Sequence, residues 1–190
     1  MNCIDNFLNS DYNTTLKYFD GTNIPKIKLI DNQVYKVIES DKSSIAKSGI
    51  IFLEPLAMEY VRRKGLPAPT VMGMEENENI AIFVTQKITG YNGNELLKLD
   101  PNLEGILREK ALDLKTLYSN IGIDREMHLK DLIFDIKDGE LLGAIPVDFE
   151  RIKTNEKLDT QLLVQIANEM GIDLSNIIKD DDFDKRGKML

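Results

Sequence analysis

The chain has 190 residues, 42% hydrophobic and 29% charged, an ordinary globular composition with room for one large domain or two small lobes sharing a cleft. Its net charge of −8 makes nucleic acid an unexpected partner, and no apolar run approaches the roughly 18 residues that a membrane span needs. One cysteine, Cys3, excludes an intramolecular disulfide, one histidine, His128, excludes a multi-histidine metal centre, and the first residues lack a signal-peptide pattern, so a cytoplasmic location is expected.

Residues 14–38 read as three strands. Thr14–Phe19 is followed by the loop Asp20-Gly21-Thr22-Asn23, whose residues accept unusual backbone angles. Lys26–Ile30 alternates polar and apolar, Asp31-Asn32 makes a tight turn, and Gln33–Ile38 resumes the alternation of a half-buried strand. Residues 43–64 are mostly helical in pattern, with Leu53, Leu56, Ala57, Tyr60 and Val61 on one face. Pro55 has to occupy a first turn or mark a kink, Gly65 ends the helix, and Leu66-Pro67-Ala68-Pro69 leaves in extended form. Two strands follow, Thr70–Met74 and Ile80–Lys87.

Thr89-Gly90-Tyr91-Asn92-Gly93 reads as a flexible joint, and a lobe boundary is placed there, giving an N-terminal lobe over 1–88 and a C-terminal lobe over 89–190. One long apolar stripe runs through Leu103, Ile106, Leu107, Ala111, Leu114, Leu117, Tyr118 and Ile121 to Gly122. Strand-like pieces at Phe134–Ile136 and Leu142–Val147 flank Asp138-Gly139. A last amphipathic helix uses Leu158, Leu162, Leu163, Ile166, Ala167 and Met170, and 179–188 form a charged tail.

Four pieces of this order carry chemistry. Lys36 sits inside the third strand; a strand lysine alone is usually solvent-facing, but a carboxylate on the following helix gives it a second reading. Glu54 opens the segment that closes with Gly65-Leu66-Pro67-Ala68-Pro69, with Glu59 as the deeper fallback partner. His128-Leu129-Lys130-Asp131-Leu132-Ile133-Phe134-Asp135 places acids near a lone histidine. Leu142–Val147 is an apolar strand ending in Asp148-Phe149-Glu150.

Taken together these segments, over about residues 14–152, resemble the RIO kinases and their small atypical-kinase relatives, which include the aminoglycoside phosphotransferases. In that group a helix begins with the glutamate that pairs the strand lysine and ends in a Gly-apolar-Pro-x-Pro exit. The resemblance implies an α+β fold of two lobes: an antiparallel five-stranded sheet with one helix, then a reduced, mainly helical C-terminal lobe. It implies an ATP- and Mg²⁺-dependent phosphotransferase, first of all a serine/threonine kinase, with a small-molecule kinase or a nucleotide-binding pseudokinase as alternatives. Lys36 and Glu54 would hold the phosphates, with Gly21 in a short phosphate loop. Gln86 and Ile88, in the hinge-like stretch Thr85–Gly90, would meet adenine through their backbone.

The 128–135 stretch resembles the catalytic loop, His-x-Asp-Leu followed by three residues and Asn. With His128 in the histidine place, Lys130 falls on the aspartate and Asp135 on the asparagine. Asp131, one residue late, is then taken as the acid that orients the acceptor hydroxyl, with Asp135 and Asp148 on the metal. Asp148-Phe149-Glu150 resembles the Asp-Phe-Gly metal motif in a form ending in glutamate. The acceptor itself, a hydroxyl on a protein or a small molecule, is left open.

Overall fold

The computed structural model of the chain describes residues 2–9, 27–38, 52–77, 80–137, 140–149 and 152–174. Strands β1 (Ile27–Ile30) and β2 (Gln33–Ile38) form a hairpin around Asp31 and Asn32, both in the left-handed region (φ 46° and 68°) as a two-residue turn demands. Short polar side chains tolerate that conformation better than branched ones. With β3 (Val71–Glu76) and β4 (Ala81–Gln86) they make a four-stranded antiparallel sheet in the order β1-β2-β4-β3. The fifth strand expected of it, Thr14–Phe19, and the loop holding Gly21 lie outside the described residues, as does the 179–188 tail.

Alternation sends the two faces of this sheet to two helices. Tyr35, Val37, Ile82 and Val84 pack against Cys3, Ile4 and Phe7 of α1 (Cys3–Asn9), a helix the sequence pattern did not announce. Buried Lys28 fixes α1: its ammonium donates to the Phe7 carbonyl and lies 4.7 Å from the centre of the Phe7 ring. Ile38, Ala81 and Phe83 turn the other way, toward α2 (Leu53–Arg63). Lys36 lies between Tyr35 and Val37 and therefore shares the face that meets α2. Pro55 occupies the first turn of α2, where its missing N–H costs nothing, and Gly65 (φ 78°) follows the last turn.

The second half is built on helices α3 (Gly93–Leu99) and α4 (Glu104–Asn120) and the hairpin β7 (Leu132–Lys137) with β8 (Glu140–Pro146). The expected joint is ordered structure: Tyr91–Asn92 forms β5, which pairs with β7, and Asn92 caps α3 in a reciprocal capping box with Glu95. Gly90 (φ 147°) permits this, since a Cβ there would come within 2.6 Å of the Phe134 carbonyl oxygen. The buried stripe of α4 is narrower than the sequence suggests. Leu107, Ala111, Leu114 and Tyr118 are buried, whereas Ile106 and Leu117 are exposed. A small ladder joins β6 (Ile123–Asp124) to β9 (Lys153–Thr154).

Helix α5 (Thr160–Met170), capped by Asp159 and ended by Gly171, returns to α2. The Tyr60 hydroxyl donates to the Ile121 carbonyl (2.8 Å) and accepts from the Asp159 N–H (2.9 Å). Lys64 pairs with Asp159 at 2.8 Å and Arg63 with Glu169 at 2.5 Å. One apolar cluster runs from Phe83 through Leu56 and Tyr60 to Phe149 and Ile166, so it crosses the boundary drawn after Ile88. No helix among the described residues is long and apolar enough to cross a membrane.

Candidate active site

Three separate elements deliver side chains to one point. Lys36 on β2 places its ammonium 2.9 Å from Glu54 Oε2 and 3.5 Å from Asp148 Oδ1. Glu54, in the first turn of α2, is 2% exposed, and its Oε1 also accepts the Phe149 backbone N–H at 3.0 Å. One carboxylate thus fixes the lysine and the backbone next to Asp148 together. Burial pushes the Glu54 carboxyl above the usual carboxylate range, against the pull of Lys36 and of the Phe149 amide. Glu59 is engaged elsewhere, with Arg62 at 2.7 Å and Arg63 at 3.0 Å, so the partner of Lys36 is the first glutamate of the helix.

Asp148 follows β8 and is 43% exposed. Phe149 behind it is buried against Tyr118, with ring centres 6.1 Å apart, and against Arg125, whose guanidinium carbon lies 4.7 Å from the ring centre. The Tyr118 hydroxyl donates to the Pro67 carbonyl, so the Pro-x-Pro exit of α2 is tied into the same assembly.

The hairpin register decides which other acids arrive. Asp131 ends a 3-10 turn, and its carbonyl accepts the Val147 N–H at 2.9 Å, which sets it level with the residue before Asp148. Asp135 is opposite Gly143, four residues farther along β7. At about 3.3 Å per residue it lies roughly 13 Å down the strand, and it is exposed. The structure therefore brings Asp131, and not Asp135, to the Asp148 end of the hairpin. The hinge-like residues are divided too. Gln86 donates its backbone N–H to the Thr70 carbonyl (3.0 Å), so that amide serves the sheet, while half-buried Ile88 lies beyond β4.

Arg125 is the functional candidate that the sequence reading passed over. It is 7% exposed, and its Nη1 is buried without a hydrogen-bond partner among the described residues. Burial lowers its pKa, opposed by interactions with Tyr118 and with the carboxylates of Asp148, Asp131 and Glu54. A signal for it existed. Counting the catalytic-loop pattern back from Asp131 in the asparagine place puts Asp124-Arg125-Glu126-Met127 where His-x-Asp-Leu stands. The glutamate then takes the aspartate's position. Glu126 is exposed and paired with Lys115 at 3.0 Å, which holds its carboxyl below the usual range.

Lys36, Glu54, Asp148, Asp131 and Arg125 make a mixed-charge group of three acids and two bases. Asp131 and Asp148 offer the hard oxygen donors that Mg²⁺ takes from proteins, usually one or two carboxylates with phosphate and water completing the shell. Among the described residues no group of three or more acids, histidines or cysteines could hold a metal unaided.

No family model and no curated protein matches the chain. Solved structures with similar coordinates include a high-resolution crystal structure of WbdD, at 18% identity and TM-score 0.46, covering 76% of this chain and 34% of that one. A structure titled as the bifunctional kinase-methyltransferase WbdD matches at 16% identity and TM-score 0.47, covering 85% and 39%. The Cydia pomonella granulovirus kinase PK-1 matches at 13% identity and TM-score 0.43, covering 83% and 66%. The chain thus spans little more than a third of the WbdD structures.

Proposed function

We propose that the chain is a phosphotransferase of protein-kinase-like design that uses a nucleotide triphosphate with Mg²⁺. The observation that carries this reading is the position of the Lys36 ammonium, within 2.9 Å of Glu54 on a helix and 3.5 Å of Asp148 after a strand. A lysine held there by a buried glutamate is a fixed point charge suited to phosphate oxygens.

Asp148 and Asp131 would hold the ion, whose contribution when bound is to neutralise charge on the phosphates. The protein's own residues supply the placement. Glu54 keeps the ammonium from swinging out to solvent and, through the Phe149 amide, sets the backbone that aims Asp148. Arg125 and Tyr118 both pack against the Phe149 ring. Arg125 also sets a positive charge among these acids, against their mutual repulsion. Glu126 would orient the acceptor hydroxyl. Its lowered pKa suits it to positioning more than to early proton removal, which is the demand of a loose phosphoryl-transfer transition state.

This reading moves Asp131 from the acceptor side to the metal side and gives the acceptor side to Glu126. The test measures the thermal shift with ATP, with and without Mg²⁺, and transfer of γ-labelled phosphate, for the wild type, Lys36→Met and Asp148→Asn. The wild type should be stabilised by MgATP. Lys36→Met should lose ATP binding, and Asp148→Asn should keep ATP binding while losing its Mg²⁺ dependence. A wild type indifferent to MgATP would sink the assignment. Binding without transfer to any acceptor would make the chain a pseudokinase.

A further inference from the structure

Glu126, though exposed, lines a pocket. With His128, Leu129 and Lys130 it forms one wall of a pocket of about 620 Å³, whose other walls are α3 at Asn94 and Leu97 and α4 at Arg108, Ala111, Leu112 and Lys115. That volume is of small-molecule size. The chain as a whole carries −8, yet the pocket gathers the basic side chains Arg108, Lys115, His128 and Lys130 around a single acid, Glu126. Two of these cations sit in surface pairs, Lys115 with Glu126 at 3.0 Å and Arg108 with Glu104 at 2.7 Å. Such exposed pairs are worth little and exchange readily for a better anion. His128 and Lys130 stand exposed at the rim.

The pocket's apolar lining is equally uneven. Leu112 is 63% exposed on α4, beside Leu97 and Leu129, in a place where a helix surface would ordinarily be polar. Cations and an uncovered leucine around one cavity describe a ligand with an anionic head and an apolar body. The same wall leads directly into the site, because Lys130 is followed by Asp131 and the Asp131 carbonyl is bonded to Val147 beside Asp148.

We infer that this pocket binds the phosphate acceptor, and that the acceptor is a small-molecule alcohol carrying a phosphate or carboxylate group on an apolar skeleton. The inference rests on the phosphotransferase reading for the word acceptor, and on the pocket alone for the ligand class. Arg108, His128 and Lys130 hold the anionic group, Leu97, Leu112 and Leu129 cover the skeleton, and Glu126 receives the hydroxyl.

His128 is the only histidine, so its ring protons give one set of NMR signals that reports on the pocket without assignment ambiguity. The full chain is titrated at fixed pH with butyl phosphate, inorganic phosphate and 1-butanol. Butyl phosphate should move the His128 signals saturably, inorganic phosphate more weakly, and 1-butanol not at all. Lys130→Gln and Arg108→Gln should each weaken butyl phosphate binding roughly tenfold, the usual size of one lost charge-assisted contact. Unmoved His128 signals, or butyl phosphate binding in both variants as strong as in the wild type, would overturn the proposal. So would a response to inorganic phosphate as strong as to butyl phosphate, since the apolar wall would then play no part. MgATP stabilisation is measured on the same samples. A silent His128 with MgATP bound refutes the pocket alone, whereas a responsive His128 without nucleotide binding keeps the anion site and refutes its acceptor role.

Discussion

Truncating Glu54 to alanine removes one side chain that serves two buried partners. Lys36, 15% exposed, loses the carboxylate at 2.9 Å, and the buried Phe149 N–H loses its acceptor at 3.0 Å. Breaking a buried ion pair from one side costs about 3–5 kcal/mol, and the partial exposure of Lys36 argues for the lower end. The orphaned amide adds about 1–2 kcal/mol. The expected loss is therefore about 4 kcal/mol, which at roughly 2–4 °C per kcal/mol for a chain of this size lowers Tm by about 8–16 °C. Glu54→Gln keeps an acceptor for Phe149 and should lose about half as much. The double variant Lys36→Met/Glu54→Leu removes both charges of the buried pair, leaves Asp148 43% exposed to water, and should fall within about 2 kcal/mol of the wild type, most of the remainder being the amide. Urea denaturation of the four proteins, fitted with a common m-value, measures all of this. A loss below about 1 kcal/mol for Glu54→Ala, or a double variant as damaged as the single, would refute the claim that this carboxylate is the hub of the site.

Glu54 also predicts a pH dependence. Its carboxyl binds a proton more tightly in the folded chain than in the unfolded one, so the stability it contributes is fully present below the ordinary value of 4.5 and is lost as pH rises through the raised folded pKa. The Tm difference between wild type and Glu54→Gln should accordingly shift against the wild type as pH is raised from about 4, then level off; calorimetry in matched buffers reads the slope, and a difference rising in favour of the wild type would contradict the sign. Tyr60→Phe strips the hydroxyl from both the Ile121 carbonyl and the Asp159 N–H and should cost about 2 kcal/mol in urea denaturation, with near-zero cost showing that the bridge between α2 and α5 is ornamental. Gly122→Ala should destabilise by at least about 2 kcal/mol, since φ is 91° and a Cβ would lie 2.3 Å from Leu158 backbone atoms, whereas Gly105→Ala, in open space within α4, should stabilise by about 0.5–1 kcal/mol. The two glycine variants can be run side by side in one thermal melt.

Much of this architecture was legible because its signals are local. Alternation in Gln33–Ile38, the Asp31-Asn32 turn, Pro55 in a first turn and Gly65 and Gly171 at helix ends each depend on a few adjacent residues. The Lys36–Glu54 pairing was legible for a different reason: in the pattern the chain resembles, the glutamate that pairs the strand lysine stands at the distance of Glu54, not Glu59, from the Gly-apolar-Pro-x-Pro exit. What local pattern does not display is the pairing register, which brings Asp131 and not Asp135 to the Asp148 end of the hairpin. Histidine is chemically conspicuous, and a count anchored on His128 sets Asp135, not Asp131, in the asparagine place of the pattern. The fixed points are the Asp131–Val147 hydrogen bond and the Leu132–Pro146 pairing, which no run of adjacent residues displays. Arg125 escaped notice because an arginine between two acids reads as surface charge until Phe149, 24 positions later, arrives to be stacked upon. The short helices α1 and α3 carry too few turns for a periodic signal.

The bridge from Tyr60 to Asp159 sets a condition on the order in which the molecule can be completed. Its two ends are 99 residues apart in the chain, and Arg63 and Glu169 are 106 apart. Contacts of such sequence separation form late, because a long loop must close before they return any energy. During synthesis the sheet and α2 emerge first, but the strut that holds α2 from below is made only after α5 has been translated. Lys36 can meet Glu54 early; Phe149 and the strut reach them only when most of the chain exists. The site is therefore finished from its C-terminal side, and a nascent chain stopped before residue 160 would carry the lysine and the glutamate without the frame that makes them a pair worth having.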